Sequence, residues 1–169
     1  MDREKRERLV KKREALKAKR EIENLLRRID DLTQYFDRHK IEYHIHLECE
    51  RAYEALYSYP AVGSGLNWEE IPNSKKVFYS SIDERNEILS TVIMHCLEAL
   101  DTTFVIWDDG YKPILEITAN LVAEHADALA EEDSRMWILN LEKDFCLEYR
   151  DWYYIAWTPI SSPTLTEHL

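Results

Sequence analysis

Apolar positions along this chain change their spacing repeatedly, and each change marks an element. From Ile22 the pattern is helical: Ile22, Leu25, Leu26, Ile29, Leu32 and Phe36 recur every three or four residues. With the charged stretch before them they predict one helix from Asp2 to Asp37. Ile41-Glu-Tyr-His-Ile-His-Leu47 then alternates with period two, with Ile41, Tyr43, Ile45 and Leu47 on one face and Glu42, His44 and His46 on the other. That is the mark of a half-buried strand. Cys49, Ala52, Tyr53, Leu56 and Tyr57 suit a short helix ending before Pro60, and Lys75 to Tyr79 a short strand. Ser81-Ile-Asp-Glu84 is a capping box, because a serine oxygen and a glutamate three residues on can satisfy the first free N–H groups of a helix. The helix it opens should run to Leu100 and turn Ile88, Leu89, Val92, Ile93, Cys96, Leu97 and Leu100 inward as a wide apolar face, with His95 packed close to it.

Residues 101–160 hold four of the five tryptophans and organise the rest. Thr102-Thr-Phe-Val-Ile-Trp107 is apolar on both alternating faces, which predicts a central strand covered on both sides. Asp109-Gly110 is a hairpin signal, since Gly takes a positive φ at little steric cost. Lys112 to Thr118 is the returning strand, and Pro113 places it at an edge or a bulge. Asn120 caps a predicted helix to Glu132, with Leu121, Val122, Ala126 and Leu129 inward. Three more strands follow: Arg135–Leu141, a half-exposed strand with Cys146, Glu148 and Arg150 outward, and Trp152–Thr158. Short loops between successive strands imply an antiparallel meander, so the fold class is α+β, a meander packed against helices. The domain reading is a charged helical appendage over 1–37 and an acidic α+β domain over 38–169.

Charge sharpens the picture. Of 22 Lys/Arg and 33 Asp/Glu, residues 1–28 carry 12 and 6, leaving 10 against 27 beyond them. A basic arm thus precedes a body of charge −17 that repels nucleic acid and attracts cationic surfaces. The arm itself offers a nucleic-acid or membrane-surface contact, or a homo-oligomer contact, against the plainer reading of a solvated helix with pairs such as Glu7 with Lys11. The three isolated cysteines fit a reducing compartment, no window approaches a membrane span, and the charged N-terminus lacks the apolar core of a signal peptide. Cytoplasm is the expectation.

No nucleophile elbow, metalloprotease helix, phosphate loop or dinucleotide fingerprint occurs, and Gly63 and Gly65 lack the Lys-Ser/Thr that a phosphate loop requires. No cofactor is implied. His44 and His46, with Glu48 next, would suit a metal-dependent enzyme only if further ligands joined them; the alternative is an exposed polar strand face. The carboxylates are the stranger feature. Glu124, Asp127 and Glu131 share a helix face, and Glu131, Glu132 and Asp133 crowd its C-terminus. There each opposes the helix dipole at about 0.3–1 kcal/mol. With Asp108, Asp109 and Tyr111 on the hairpin tip they form a candidate surface for a basic protein partner.

Ile71-Pro-Asn73, Val77-Phe-Tyr79, the helix after it and Thr103-Phe-Val-Ile-Trp107 with its acidic turn resemble, in style, bacterial toxin-immunity proteins. The resemblance covers residues 65–160 and brings no named functional residues. It implies a small, acidic, cytosolic α+β protein that neutralises a toxin such as a nuclease.

Overall fold

The computed structural model describes the backbone of residues 3–159 and the side chains from Val10 onward. The fold is α+β, built on one seven-stranded antiparallel sheet. Its strands are β1 His44–His46, β4 Lys75–Phe78, β5 Thr102–Trp107, β6 Ile114–Thr118, β7 Arg135–Asn140, β8 Phe145–Arg150 and β9 Tyr154–Trp157, ordered β1-β6-β5-β7-β8-β9-β4. Two two-residue strands, β2 Ala61–Val62 and β3 Gly65–Leu66, form a separate small hairpin. The expected meander holds from β7 to β9. It is interrupted after β6, where two short helices carry the chain across so that β7 pairs with the far side of β5.

Alternating side chains send two cores to opposite faces. Val105, Leu115, Ile117, Met136, Ile138, Phe145, Leu147, Tyr149 and Ile155 pack against the helices α2 Asp30–His39, α4 Ile82–Cys96, α5 Ala119–Glu124 and α6 Ala126–Glu131. Phe104, Ile106, Ile114, Trp137, Leu139, Cys146, Tyr154 and Ala156 face α3 Glu50–Tyr57 and the segment containing Leu66, Trp68 and Ile71. Burial on both faces explains why β5 lacks polar alternation. It also corrects β8: Cys146 and Glu148 are both fully buried rather than half-exposed, because the 66–71 segment covers that side of the sheet.

The long N-terminal helix is two helices. α1 Arg3–Arg27 ends in a turn, and α2 begins at Asp30. Whether it starts at Asp2 lies outside the described residues, as does the pairing of Glu7 with Lys11. Ile29, Leu32 and Phe36 are at most 2% exposed in the main core, so α2 is integral to the domain and only α1 stands off it. The predicted 120–132 helix also breaks, at His125, whose φ of −114° and ψ of 28° lie outside the helical region. Its N-cap is Thr118; Asn120 instead accepts a 2.7 Å bond from the Thr118 hydroxyl. The capping box at α4 forms, with the Glu84 N–H donating to Ser81 Oγ at 3.1 Å and the Glu84 carboxylate accepting from the N–H and hydroxyl of Ser80. That helix ends at Cys96, and His95 is exposed rather than packed.

Candidate functional site

Strand ends, a turn and a helix terminus converge at one end of the sheet. The β5–β6 connection is longer than the Asp-Gly signal implies. Pro113 has no N–H to give the ladder, so β6 starts only at Ile114. Gly110 does not take a positive φ. The turn closes instead through Lys112 N–H to the Asp109 carbonyl at 2.8 Å and Tyr111 N–H to Asp109 Oδ1 at 3.0 Å.

This turn is held from the α6 side by the acids themselves. The Asp109 N–H donates to Asp133 Oδ2 at 3.1 Å. The Lys112 ammonium donates to the Glu132 carbonyl and lies 3.7 Å and 3.8 Å from the Glu132 and Asp133 carboxylates. A cation at a helix C-terminus is what the dipole favours, so Lys112 offsets the crowding there. Burial pushes the Glu132 carboxyl above its usual range despite the pull of Lys112. Arg28, at the end of the basic arm, pairs with Asp109 at 2.9 Å and lies over the Tyr111 ring, 5.0 Å from its centroid. Arg135 approaches Asp108 at 3.4 Å.

The seven candidate carboxylates therefore separate into two groups. Asp108, Asp109, Glu132 and Asp133 are each paired with a cation of this chain, which withdraws the argument that their charge is misplaced. Tyr111 remains exposed at its rim beneath Arg28. Glu124, Asp127 and Glu131 are exposed and have no cationic partner among the described residues. Asp127 and Glu124 reach Tyr35 of α2 electrostatically: burial first, then these two carboxylates, raises the Tyr35 phenol. Asp31 of α2 likewise adds to the upward push on Glu132. The free acids thus lie on a helical face shared by α2, α5 and α6.

His44 and His46 gain no third ligand. His46 Nε2 lies 2.5 Å from Glu116 Oε2 on the neighbouring strand, and no group of three His, Cys, Asp or Glu side chains among the described residues is arranged to hold a metal ion.

On the other side of the turn the structure holds a site the sequence did not disclose. A cleft of about 340 Å³ opens between α3, the β2–β3 hairpin and the end of β5. Tyr53, Tyr57, Tyr59 and Trp137 supply its aromatic walls, and Asp108 its only carboxylate. Tyr53 and Tyr57 stack at 5.9 Å with rings 17° from parallel, as their four-residue spacing on α3 allows. Beneath the hairpin lies a buried polar cluster. Glu148, with no exposed surface, accepts from Trp68 Nε1 at 2.5 Å and from the Tyr154 hydroxyl at 2.8 Å. Arg135 Nε is 3.6 Å from Glu148 Oε1, and its Nη1 donates to the Ser64 carbonyl. The same guanidinium thus serves Glu148, Asp108 and the hairpin. Burial, then the Glu148 charge, drives the Tyr154 phenol up to about 12. Neither Glu148 nor Arg135 is visible as a partner in the sequence, where they read as one outward acid and the first residue of a strand.

A third unforeseen feature is His125, 9% exposed at the α5–α6 break and hydrogen-bonded to the Tyr35 hydroxyl at 3.0 Å. Its position at the break leaves the C-terminal half of the predicted helix free to turn back over Trp107, whose Nε1 donates to the Leu129 carbonyl at 3.2 Å.

No family model matches the chain, and no curated protein shows significant similarity to it. No helix among the described residues is long and apolar enough to cross a membrane.

Proposed function

We propose that this protein acts by binding rather than by catalysis, engaging a basic protein partner in the cytoplasm and neutralising it, as an immunity protein neutralises a toxin nuclease. The observation that carries this reading is the contrast among its acids. Four carboxylates near the β5–β6 turn are matched by Lys112, Arg28 and Arg135, whereas Glu124, Asp127 and Glu131 on the adjoining helices are exposed with no cationic partner among the described residues. Asp127 and Glu131, four apart on α6, repel each other, and a cationic surface relieves that repulsion on contact. The net charge of −11 adds long-range attraction and speeds encounter.

The test is affinity capture from cells that make the protein naturally, with wild type and the E124K/D127K/E131K variant side by side. The captured partner is then purified and titrated by calorimetry. A basic partner that binds wild type, weakens about tenfold or more as salt rises to several Debye-screening steps, and is lost by the triple variant supports the reading. A partner held equally by both proteins and indifferent to salt overturns it.

A further inference from the structure

We propose that the cleft between α3 and the β2–β3 hairpin is a side-chain pocket that receives an arginine of the basic partner. This deepens the binding-protein reading and rests on it. Three observations converge on a guanidinium. The first is size: at about 340 Å³ the cleft lies at the small end of ligand pockets, suited to one long side chain rather than to a cofactor. The second is its walls. Tyr53, Tyr57, Tyr59 and Trp137 present ring surface, and a planar cation stacks on such faces more favourably than an ammonium or an alkyl group does.

The third is the charge at its mouth. Asp108 is the single carboxylate in the lining, and its side chain is 42% exposed. Its internal partner, Arg135, is shared: one guanidinium stands 3.4 Å from Asp108 and 3.6 Å from Glu148, two carboxyl groups for one cation. Asp108 therefore retains acceptor capacity toward a second guanidinium from outside, for which paired N–H donors are the matching chemistry. The pocket and the acidic helices lie on opposite faces of the sheet, and the β5–β6 turn joins the two. The same turn that contributes Asp108 and Gly110 to the cleft is bonded through the Asp109 N–H to Asp133 beyond α6. A partner that reaches around this turn meets the acidic helices on one side and the cleft, with room for one arginine, on the other. A buried, aromatic-walled anchor beside a charged rim is the arrangement in which a few residues dominate an interface.

The protein has three glycines, and Gly63, Gly65 and Gly110 all line the cleft. Glycine-selective ¹⁵N labelling of the full chain therefore gives three amide signals that all report on this one place. The probe is acetyl-Gly-Arg-Gly-amide, compared with the same peptide carrying citrulline or leucine. The expected result is saturable movement of the glycine signals with the arginine peptide, and binding about tenfold weaker for citrulline and leucine. Tyr57→Ala and Asp108→Asn should each weaken the arginine peptide about fivefold or more. Tyr57 is 76% exposed, so its replacement leaves the core intact, and the three glycine positions in the free variant check that directly. Leucine binding as well as arginine, or no movement with any peptide, overturns the proposal. The E124K/D127K/E131K variant separates the two readings. Glycine shifts that persist in it while partner capture proves insensitive to those charges sink the acidic-face reading and leave the pocket standing; loss of capture with silent glycines does the reverse.

Discussion

The indole N–H of Trp68 donates to Glu148 Oε2 at 2.5 Å, tying a loop residue to a carboxylate with no exposed surface in the middle of the sheet. Tyr154 donates to the same oxygen, and Arg135 faces the other one. Removing the acid leaves a buried guanidinium and two buried donors without their partner. Glu148→Ala should therefore cost about 3–5 kcal/mol. Glu148→Gln should cost less, because an amide oxygen can still accept from Trp68 and Tyr154. Replacing the pair together, as E148L/R135M, should recover part of the loss. Urea unfolding of the four proteins gives the order; a double variant no better than E148A alone would show that the pair is not the unit.

Gly65 is required by the same carboxylate. A Cβ built there meets Glu148 Oε1 at 3.0 Å, whereas one on Gly110 meets nothing within 4 Å. Glu148 is locked by its partners and cannot swing away cheaply. Gly65→Ala should destabilise by about 1–3 kcal/mol, and Gly110→Ala should stay within about 0.5 kcal/mol of wild type. Thermal denaturation of the two variants decides it, and equal melting temperatures would contradict the close approach.

Lys112 holds the acidic corner together. Its side chain is 10% exposed and lies between the Glu132 and Asp133 carboxylates at 3.7 Å and 3.8 Å. Lys112→Met should lower stability by about 2 kcal/mol by leaving like charges crowded at the end of α6. The crowding can be screened, so added NaCl should restore part of the loss in the variant while changing wild type less. A deficit unaffected by salt would assign the loss to packing alone.

Asp101 gives a pH signature with a definite sign. Burial works to raise its carboxyl, but the bond from Lys143 Nζ at 2.6 Å, the bond from the Glu98 N–H at 2.7 Å and the Lys143 charge outweigh it, so its pKa lies below the usual aspartate range. A lowered acid contributes stability that is present above its unfolded pKa and lost as pH falls through the folded one. Asp101→Asn should thus cost about 1 kcal/mol at pH 7, with the gap to wild type closing as the solution is acidified below the ordinary carboxylate range. Paired urea titrations across that range measure it; a gap that widens on acidification has the wrong sign. Lys143 is raised by the same contact, so on its side the contribution is lost only as pH climbs through its folded pKa.

Local rules carried far in this chain. Periodicity and capping signals identified β5 as doubly covered, the capped start of α4 and the α+β class, because side-chain alternation and capping chemistry act over a few residues. They failed where a distant group decided the outcome. Ile29 sits between α1 and α2 with its side chain buried in the main core, and the turn at Arg28 brings a guanidinium to Asp109, 81 positions away. Glu148 reads as an outward acid until the segment containing Trp68 folds over it.

The sequence by itself determined most of the elements, the two-faced burial of β5 and the excess of negative charge, since these depend on residue type and short spacing. Only the tertiary structure decided which acids stay free and where a cleft opens. Charge pairing and concavity both depend on which surfaces meet, and here Lys112, Arg28 and Arg135 reach their acids through contacts that no local pattern encodes.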